Sequence, residues 1–319
     1  MSDGVHFILS FASATAPGAV EASRALDLPG LERLLSRLQP VAMDTGDASS
    51  LSPPHERALA LHAGLPFKDG CVPLAALTQP TVLRAQGCAF ITPCHWRVAT
   101  DHIVMLGPED LDLSEIHSRA MLDAMRPYFL EDGIAIEYVS PVRWLARSDL
   151  FVDFPAASLD RVSGRDIQEW MPRGAKAAAL RRLQQEMQML LYTHAANDER
   201  QAAGLAAVNS FWLSGTGPID ASWDAQSLSR IQVVDDLRSA ALHADWPTWT
   251  RAWQQLDVSG LAALSRRIDE GQPFTLTLCG ERSAQRWELP AQGGYLRGFA
   301  RRVGALVSRP RAAAVLQAL

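Results

Sequence analysis

The chain has 319 residues, of which 48% are hydrophobic and 20% charged, and its formal net charge is -5. This composition is that of a folded globular protein and excludes wholesale disorder. The acidic balance gives no general reason to expect nucleic acid or an anionic membrane as partner. At this length we expect a large core and two subdomains.

The N-terminal residues and the cysteines bear on where the protein is found. Residues 5–16 contain the short apolar run of a signal peptide, but Asp3 precedes it and no Lys or Arg does. No apolar stretch approaches the ~20 residues that a membrane span needs. The four cysteines form no Cys-x-x-Cys pair and are typical of reduced structural thiols. The sequence therefore predicts a cytoplasmic protein with no membrane segment.

The first 85 residues predict one strand and short helices. Residues 6–13 are apolar and rich in aromatic or β-branched side chains, which predicts a strand that ends at Ala-Thr-Ala-Pro-Gly. Leucines at helical spacing predict a helix over 28–38, and a Pro-Pro start with a Gly stop predicts another over 55–63. Residues 43–54 are rich in Asp, Ser, Thr, Gly and Pro and predict a loop.

Residues 88–154 predict a β-β-α-β-β unit with a largely antiparallel sheet. Its strands are expected at 88–92, 96–106, 134–139 and 143–147, with a further strand at 151–154. Asp112, with Glu115 three residues later, predicts the N-cap of a helix that runs to about residue 130. Asp132-Gly133 predicts the turn that follows this helix.

The centre of the chain is residues 208–217, a mostly apolar strand that runs into Gly-Thr-Gly. In front of it lie a short helix at 167–170, the longest helical pattern, at 175–195, and a short helix for which Asn197 is the expected N-cap. A buried strand that ends in Gly-x-Gly is where an open sheet usually presents backbone N–H groups to a ligand. This stretch is therefore the first place to look for a site.

Residues 219–319 predict mostly helix, with a hairpin at 274–278 and 286–289 and a terminal helix rich in Arg. No acidic residue follows Glu288, so the C-terminal segment is basic whereas the chain as a whole is acidic. The whole pattern predicts an α+β fold with a mixed, largely antiparallel sheet, flanking helices and a helix-rich C-terminal half. The expected divisions are 1–85, 86–218 and 219–319.

Several segments stand in the order that they have in a known family. They are Thr-Pro-Cys-His-Trp at 92–96 with Asp101, Asp132-Gly133, Gly164-Arg165-Asp166, Gln-Met-Leu-Leu at 188–191, Val-Asn-Ser-Phe-Trp at 208–212 and Leu-Cys-Gly-Glu at 278–281. Together they resemble a bacterial family of roughly this length that is usually labelled phosphoglycerate-mutase-like, of the bisphosphoglycerate-independent kind. The resemblance covers most of the chain from about Cys88 and implies, by its label, phosphoglycerate mutase activity.

The two known mutase chemistries each require residues that can be sought in the chain. A cofactor-dependent mutase needs a phosphorylated His inside Arg-His-Gly, and none of the eight histidines is preceded by Arg or followed by Gly. A cofactor-independent mutase needs two metals and a Ser nucleophile. The sequence has no convincing set of Asp and His ligands in short motifs, and Asp3-Gly4 comes before the first strand instead of after it. The sequence thus predicts no metal site, assigns no cofactor and gives mutase chemistry no support.

One set of residues is a candidate for binding a small phosphorylated or carboxylated ligand in a single cleft. A His near neutral pH can act as a base or anion donor, and an Arg offers a planar fork to an anion. Each side chain also has a structural alternative: a hydrogen-bonded turn His, an internal Arg–Asp pair, or polar groups that satisfy neighbouring backbone. The candidates are His95, Arg165, Asp166, Asn209, Ser210, Gly215 and Gly217.

A second set is a candidate for a protein partner or single-stranded nucleic acid. Trp246, Trp249 and Trp253 fall at i, i+3 and i+7 on one helix face, and Arg301 and Arg302 belong to the basic end. Exposed together, aromatic rings and arginines would resemble a surface for single-stranded nucleic acid. The alternative is a buried core stripe and a solvated helix. Binding of a small anionic ligand is the preferred hypothesis, with an interaction protein and a mutase as the alternatives.

Overall fold

The computed structural model describes residues 4–290 and 311–319. Its strands are β1 (Val5–Leu9), β2 (Gln39–Thr45), β3 (Cys88–Val98), β4 (Ile103–Leu106), β5 (Ala135–Ser140), β6 (Arg143–Arg147), β7 (Ser210–Gly217), β8 (Ile231–Val234), β9 (Phe274–Cys279) and β10 (Ser283–Glu288). Its α-helices are α1 (Pro17–Ala25), α2 (Pro29–Leu35), α3 (Pro54–Ala63), α4 (Leu74–Leu77), α5 (Thr81–Arg84), α6 (Glu115–Glu131), α7 (Leu159–Val162), α8 (Ala177–Tyr192), α9 (Ala195–Ala202), α10 (Arg238–Leu242), α11 (Trp246–Val258), α12 (Gly260–Asp269) and α13 (Ala312–Gln317).

The chain divides into two compact units. Unit 1 consists of Met1–Ser49, Pro54–Ala63 and Asp224–Leu319, and unit 2 of Ser50–Pro53 and Gly64–Trp223. Unit 1 is thus assembled from both ends of the chain. The three consecutive divisions expected from the sequence stay a prediction. Local composition does not reveal this arrangement, because it carries no information on which distant strands pair.

Unit 1 is built on a mixed sheet with the strand order β2-β10-β9-β1-β8. Strand β1 runs parallel to both of its neighbours, β8 and β9, while β10 is antiparallel to β9 and to β2. Because side chains alternate along a strand, β1 turns Phe7 and Leu9 to one face and His6 and Ile8 to the other. Helices α1, α2, α11, α12 and α13 pack on the first face, and α3 packs on the second.

Two sequence predictions for unit 1 are wrong. Strand β2 extends to Thr45, into the stretch predicted as a loop, and from Pro40 onward every residue of β2 is exposed. The alternation that predicts a half-buried strand is therefore absent. Strand β8 lies where only helix was predicted, and none of its residues is fully buried. The hairpin of β9 and β10 is confirmed, whereas the predicted Arg-rich helix falls largely at 291–310, outside the described residues.

Unit 2 contains a second sheet, in the order β4-β3-β6-β5. Strand β7 pairs with β3 along the edge opposite to the one that β6 occupies. All of its strand pairs are antiparallel. Helices α6, α8 and α9 pack on one face, around Trp144, Phe129 and Phe211. The other face holds a smaller cluster around Trp96 and Trp212. The predicted β-β-α-β-β order and the α+β class are confirmed.

The two strands predicted at 88–92 and 96–106 are divided at the wrong place. Strand β3 continues through Pro93 to Val98, and β4 begins only at Ile103. Pro93 lies between the stretch of β3 that pairs with β6 and the stretch that pairs with β4. One edge of β3 is unpaired there, so a residue without an N–H is tolerated. The stretch predicted as a strand at 151–154 instead begins with the last residue of a 3-10 helix, Asp149–Phe151, and continues as a turn.

Two predicted helix caps are also corrected. The start of α6 is capped by Ser114, whose Oγ accepts a 3.2 Å hydrogen bond from His117 N, and not by Asp112. The N-cap of α9 is His194, and Asn197 lies inside the helix. The buried Asn197 amide bonds the backbone of Val208, which ties α9 to the start of β7. Among the described residues no helix is both long and apolar enough to cross a membrane.

Candidate functional site

The candidate residues His95 and Asn209 lie together where β3 and β7 pair. His95 Nδ1 is 2.7 Å from the carbonyl oxygen of Ala207. Asn209 Oδ1 accepts a 2.7 Å hydrogen bond from Trp96 N, and Asn209 Nδ2 donates to Trp96 O at 3.0 Å. Both side chains therefore satisfy neighbouring backbone, which is the structural alternative that the sequence left open.

Arg165 and Asp166 follow α7 and lie beside β4. The carbonyl oxygen of Arg165 accepts a 3.2 Å hydrogen bond from Met105 N, and Asp166 forms an isolated β-bridge with Val104. The Asp166 carboxylate accepts a hydrogen bond from Gln168 N at 3.0 Å. Since β4 pairs with the stretch of β3 that carries His95, these residues lie one strand away from His95.

The glycine turn lies at the other end of β7. Gly217 is opposite Cys88, and Ser210 is opposite Cys94. The two ends of β7 are seven residue steps apart, about 23 Å at 3.3 Å per residue. The seven candidate residues are therefore not brought into one cleft.

The surroundings of the glycines explain why they are glycines. Gly215 has φ +65°, and a Cβ there would lie 3.2–3.3 Å from Phe90, Ala75 and Leu74. Thr216, between the two glycines, donates its hydroxyl to the carbonyl oxygens of Gly70 and Phe154. This turn is filled by the chain itself and is not an open cradle for a phosphate.

Ser210 and Cys94 lie opposite each other in the β3–β7 pair, and both are fully buried. Ser210 Oγ has no hydrogen-bond partner among the described residues. Burial raises the pKa of the Cys94 thiol well above its usual range, so the thiol stays protonated near neutral pH. A protonated thiol in an apolar cluster does not act as a nucleophile.

The predicted Trp stripe belongs to the core of unit 1. Trp249 and Trp253 are 0% exposed, and their indole N–H groups donate to Phe11 O at 3.0 Å and to Ala12 O at 3.2 Å. Trp246 is half-buried and packs edge-on against Trp249. The stripe is thus no exposed platform. Arg301 and Arg302 lie outside the described residues.

These tryptophans hold the loop that leaves β1, at an edge of the sheet where three parallel strands end together. Because β1, β8 and β9 are parallel, their carboxyl ends share one edge, which is where open α/β sheets bind ligands. Ser10 and Asp235 directly follow β1 and β8. The Ser10 hydroxyl lies 2.6 Å from Asp235 Oδ1 and 3.1 Å from Val234 O. We call this end of the sheet the carboxyl edge.

The N-terminus of α1 opens at the carboxyl edge. No side chain caps it, and the N-cap is Ala16. The first N–H groups of a helix have no partner within the helix and favour an anion. One carboxylate already lies here: Glu281, just after β9, accepts hydrogen bonds from Thr15 N at 2.9 Å and from Thr15 Oγ1 at 2.5 Å. Trp246 packs over Gly18, where a Cβ would approach its ring to 2.6 Å.

Within the loop between β1 and α1, two residues are unusual. Phe11 has φ +54°, a left-handed conformation that bulky residues rarely adopt and that persists where the surroundings fix it. Ser13 is only 7% exposed, and its hydroxyl makes no hydrogen bond to any residue that the structure describes. The Ser13 oxygen is not among the fully buried atoms that lack a partner, so it is reachable from the surface and can donate to a ligand oxygen.

Sequence reasoning missed this edge. Asp235 could not be placed, because β8 was not predicted, and Ser13 was taken as part of the first strand. The available pattern was a strand followed by small polar residues and then Pro17 at the first turn of a helix. Among residues 4–290 and 311–319 no group of three His, Cys, Asp or Glu side chains is placed to hold a metal ion.

Comparison with known proteins returned no matching family model and no matching curated protein. Two solved structures align over most of the chain. The cofactor-independent phosphoglycerate mutase from Thermoplasma acidophilum DSM 1728 is 13% identical, with 91% of each chain covered and a TM-score of 0.35. The PH0037 protein from Pyrococcus horikoshii is 9% identical, with 90% of this chain and 88% of that chain covered and a TM-score of 0.42. At TM-scores this low the two structures do not define the fold of this chain, which is described by its own strand pairing.

Proposed function

We propose that the chain binds a small phosphorylated or carboxylated ligand at the carboxyl edge of unit 1, with the anionic group at the start of α1. The observation that carries the proposal is the Ser13 hydroxyl, which makes no hydrogen bond to any described residue and lies three residues before Ala16, the uncapped start of the helix. A ligand oxygen beside Ser13 would accept a hydrogen bond from its hydroxyl and would also meet the free helix N–H groups.

The charges of the edge restrict the ligand further. Asp235 and Asp236 are both exposed and follow β8, and Glu281 follows β9, so a bare anion would meet repulsion here. A ligand that also carries a hydroxyl or amino group could donate to Asp235, whose Oδ1 already accepts from Ser10. Trp246 offers an apolar wall beside Gly18. The edge is therefore best matched by a hydroxy acid, an amino acid or a phosphorylated hydroxy acid.

The proposal is one of binding and does not extend to mutase chemistry. Transfer of a phosphoryl group by a cofactor-independent mutase uses two metal ions held by several carboxylates and imidazoles. The edge offers Asp235 after β8 and Glu281 after β9, the strands on either side of β1, and Glu281 is engaged with Thr15. The other route needs a His in Arg-His-Gly, which the sequence lacks.

Isothermal titration calorimetry tests the proposal with 3-phosphoglycerate, malate, serine and inorganic phosphate as probes. We expect at least one of the first three to bind, more tightly than phosphate, because only these reach Asp235 as well as α1. Ser13→Ala should weaken binding by about threefold to tenfold, the net worth of one hydrogen bond. The matched control is Ser265→Ala on α12, which removes a hydroxyl that makes no described hydrogen bond.

A second pair of variants separates a specific contact from the general field of the edge. Asp235→Asn and Asp236→Asn remove the same charge from adjacent exposed residues, but only Asp235 contacts Ser10. We expect Asp235→Asn to weaken binding of the hydroxylated probes and Asp236→Asn to leave it almost unchanged. Equal effects of the two changes, or no binding of any probe at millimolar concentration, would contradict the proposal.

The residues singled out in unit 2 stay a prediction. His95 and Asn209 are held by the backbone of the strands they join, so His95→Ala and Asn209→Ala are expected to lower stability without changing ligand affinity. Loss of probe binding in these variants, at unchanged melting temperature, would move the site to unit 2. The interaction hypothesis now depends on the basic end alone, since Trp249 and Trp253 are buried.

A further inference from the structure

A cavity of 330 Å³ lies in unit 1, between the β2–β10 end of the sheet and α13. This volume is within the range of small-molecule sites. The sheet contributes Pro40, Met43 and Trp287, and α13 contributes aliphatic side chains. Its remaining lining residues are Gln285, Arg311, Ala314, Val315, Ala318 and Leu319.

A bulge in β2 lies opposite Trp287. The register of β10 against β2 shifts between Arg286 and Trp287, so that Trp287 is opposite Pro40 and Val41 of β2 is the extra residue. Strand β10 keeps a regular register against β9, where Trp287 is opposite Leu276. Proline has no N–H, so the ladder is also weakened at this point. Trp287 is 7% exposed, and its indole Nε1 has no hydrogen-bond partner among the described residues.

An arginine side chain supplies a positive charge in the lining of the cavity. Arg311 is the N-cap residue of α13, is exposed, and forms no ion pair within residues 4–290 and 311–319. The carboxylate of Glu32 on α2 is engaged with the backbone of α13, since its Oε1 accepts a 3.0 Å hydrogen bond from Ala312 N. An arginine fork and an indole N–H are both donors, and together they suit a carboxylate.

We propose that this cavity is a second binding site, for an amphipathic carboxylate with a short aliphatic or aromatic body. The body lies against Met43, Val315 and the Trp287 ring, and the carboxylate accepts hydrogen bonds from Arg311 and from Trp287 Nε1. The apolar walls exclude a strongly polar metabolite, and the two donors favour an acid over an alcohol of equal length. This site is separate from the carboxyl edge and does not depend on the ligand proposed there.

Calorimetric titration of the full chain with octanoate tests the proposal, and 1-octanol is the neutral probe of matched length. We expect one octanoate per chain and weaker binding of octanol. Arg311→Gln should weaken octanoate binding about tenfold and leave octanol unchanged, because a charge-assisted hydrogen bond is lost. Trp287→Phe keeps the ring but removes the N–H, and should weaken octanoate binding about threefold. Arg97→Gln, at an exposed position in unit 2, is the matched control.

Ala314→Trp provides an independent check, since a large side chain on the exposed face of α13 would fill the cavity. We expect this variant to bind neither probe while it keeps the melting temperature of the parent. Octanoate binding that survives Ala314→Trp, equal affinity for octanoate in Arg311→Gln and the parent, or no binding of octanoate at millimolar concentration would each overturn the proposal. Ser13→Ala should leave octanoate binding unchanged, so the proposal for this cavity and the proposal for the carboxyl edge can be disproved independently.

Discussion

The imidazole rings of His6 and His62 lie with their centroids 3.7 Å apart, at an angle of 61°. His6 is on β1, and His62 is on α3, the helix that covers this face of the sheet. His6 Nε2 is also 2.7 Å from Thr277 Oγ1 on β9. Burial, with a smaller contribution from His62 and Arg286, lowers the pKa of His6 to about 3, and burial and Arg286 lower the pKa of His62 to about 4. Both rings are therefore neutral in the folded protein near neutral pH.

Unit 1 should lose stability as the solution is acidified. In the unfolded chain each histidine has a pKa near its usual 6.5, so the unfolded state binds more protons between about pH 6.5 and pH 4. The stabilising contribution is present above pH 6.5 and falls by up to about 1.4 kcal/mol per pH unit for each histidine. Denaturant titrations between pH 7.5 and pH 4 should show this slope, and His62→Gln should reduce it. The control His243→Gln, at an exposed residue on the surface of unit 1, should not.

Trp212→Ala should destabilise the protein by about 3–5 kcal/mol, the usual range for removal of a buried tryptophan. Trp212 is 1% exposed on β7, and its indole N–H donates a 2.9 Å hydrogen bond to Ala157 O. The change therefore leaves a cavity and also an unpaired carbonyl group. Trp246→Ala, at a half-buried residue, should cost less. A soluble Trp212→Ala variant with an unchanged melting temperature would show that this strand does not organise unit 2.

The purified protein should show no phosphoglycerate mutase activity, with or without Mn²⁺ or Mg²⁺. The sequence lacks Arg-His-Gly, and the described residues contain no group of three side chains placed to hold a metal ion. An enolase-coupled assay measures this directly, with a mock purification as the blank. Metal-dependent turnover well above the blank would show that the family resemblance extends to the reaction.

The arginines of the basic end should not form a nucleic-acid surface. Arg301→Ala with Arg302→Ala is expected to keep the fold and to change no binding property, because the acidic body repels a polyanion. If the segment did contact phosphates, binding of a single-stranded oligonucleotide would weaken steeply with salt. The double variant would then flatten the slope of log K against log salt by about 2. Micromolar, salt-sensitive binding that this variant loses would reverse our expectation.

Local patterns predicted much of the fold. The α+β class, the β-β-α-β-β order and the hairpin of β9 and β10 follow from alternation, helical spacing and turn residues. The failures have a common cause, since β2 and β8 lack buried alternating side chains. They are strands because of the neighbours they pair with, and no local pattern records that pairing.

The candidate site was harder to predict than the fold. Gly215 and Gly217 were chosen as ligand-binding glycines, yet their conformation and close neighbours account for them without a ligand. Ser13 and Asp235 are brought to one edge by the parallel pairing of β1 with β8, two segments that are remote in the sequence. Only the sheet topology shows that these residues belong together.

The pairing of β1 has a consequence for synthesis of the chain. Strand β1 is made first, whereas its neighbours β8 and β9 begin only at Ile231 and Phe274. At a synthesis rate of about 5–20 residues per second, β1 stays without its two partner strands for roughly 10–50 s. The strands of unit 2 all lie between Cys88 and Gly217, so that sheet can pair in the meantime. A nascent chain released early would carry a folded second sheet and a bare first strand, a form that chaperones retain and that aggregates readily.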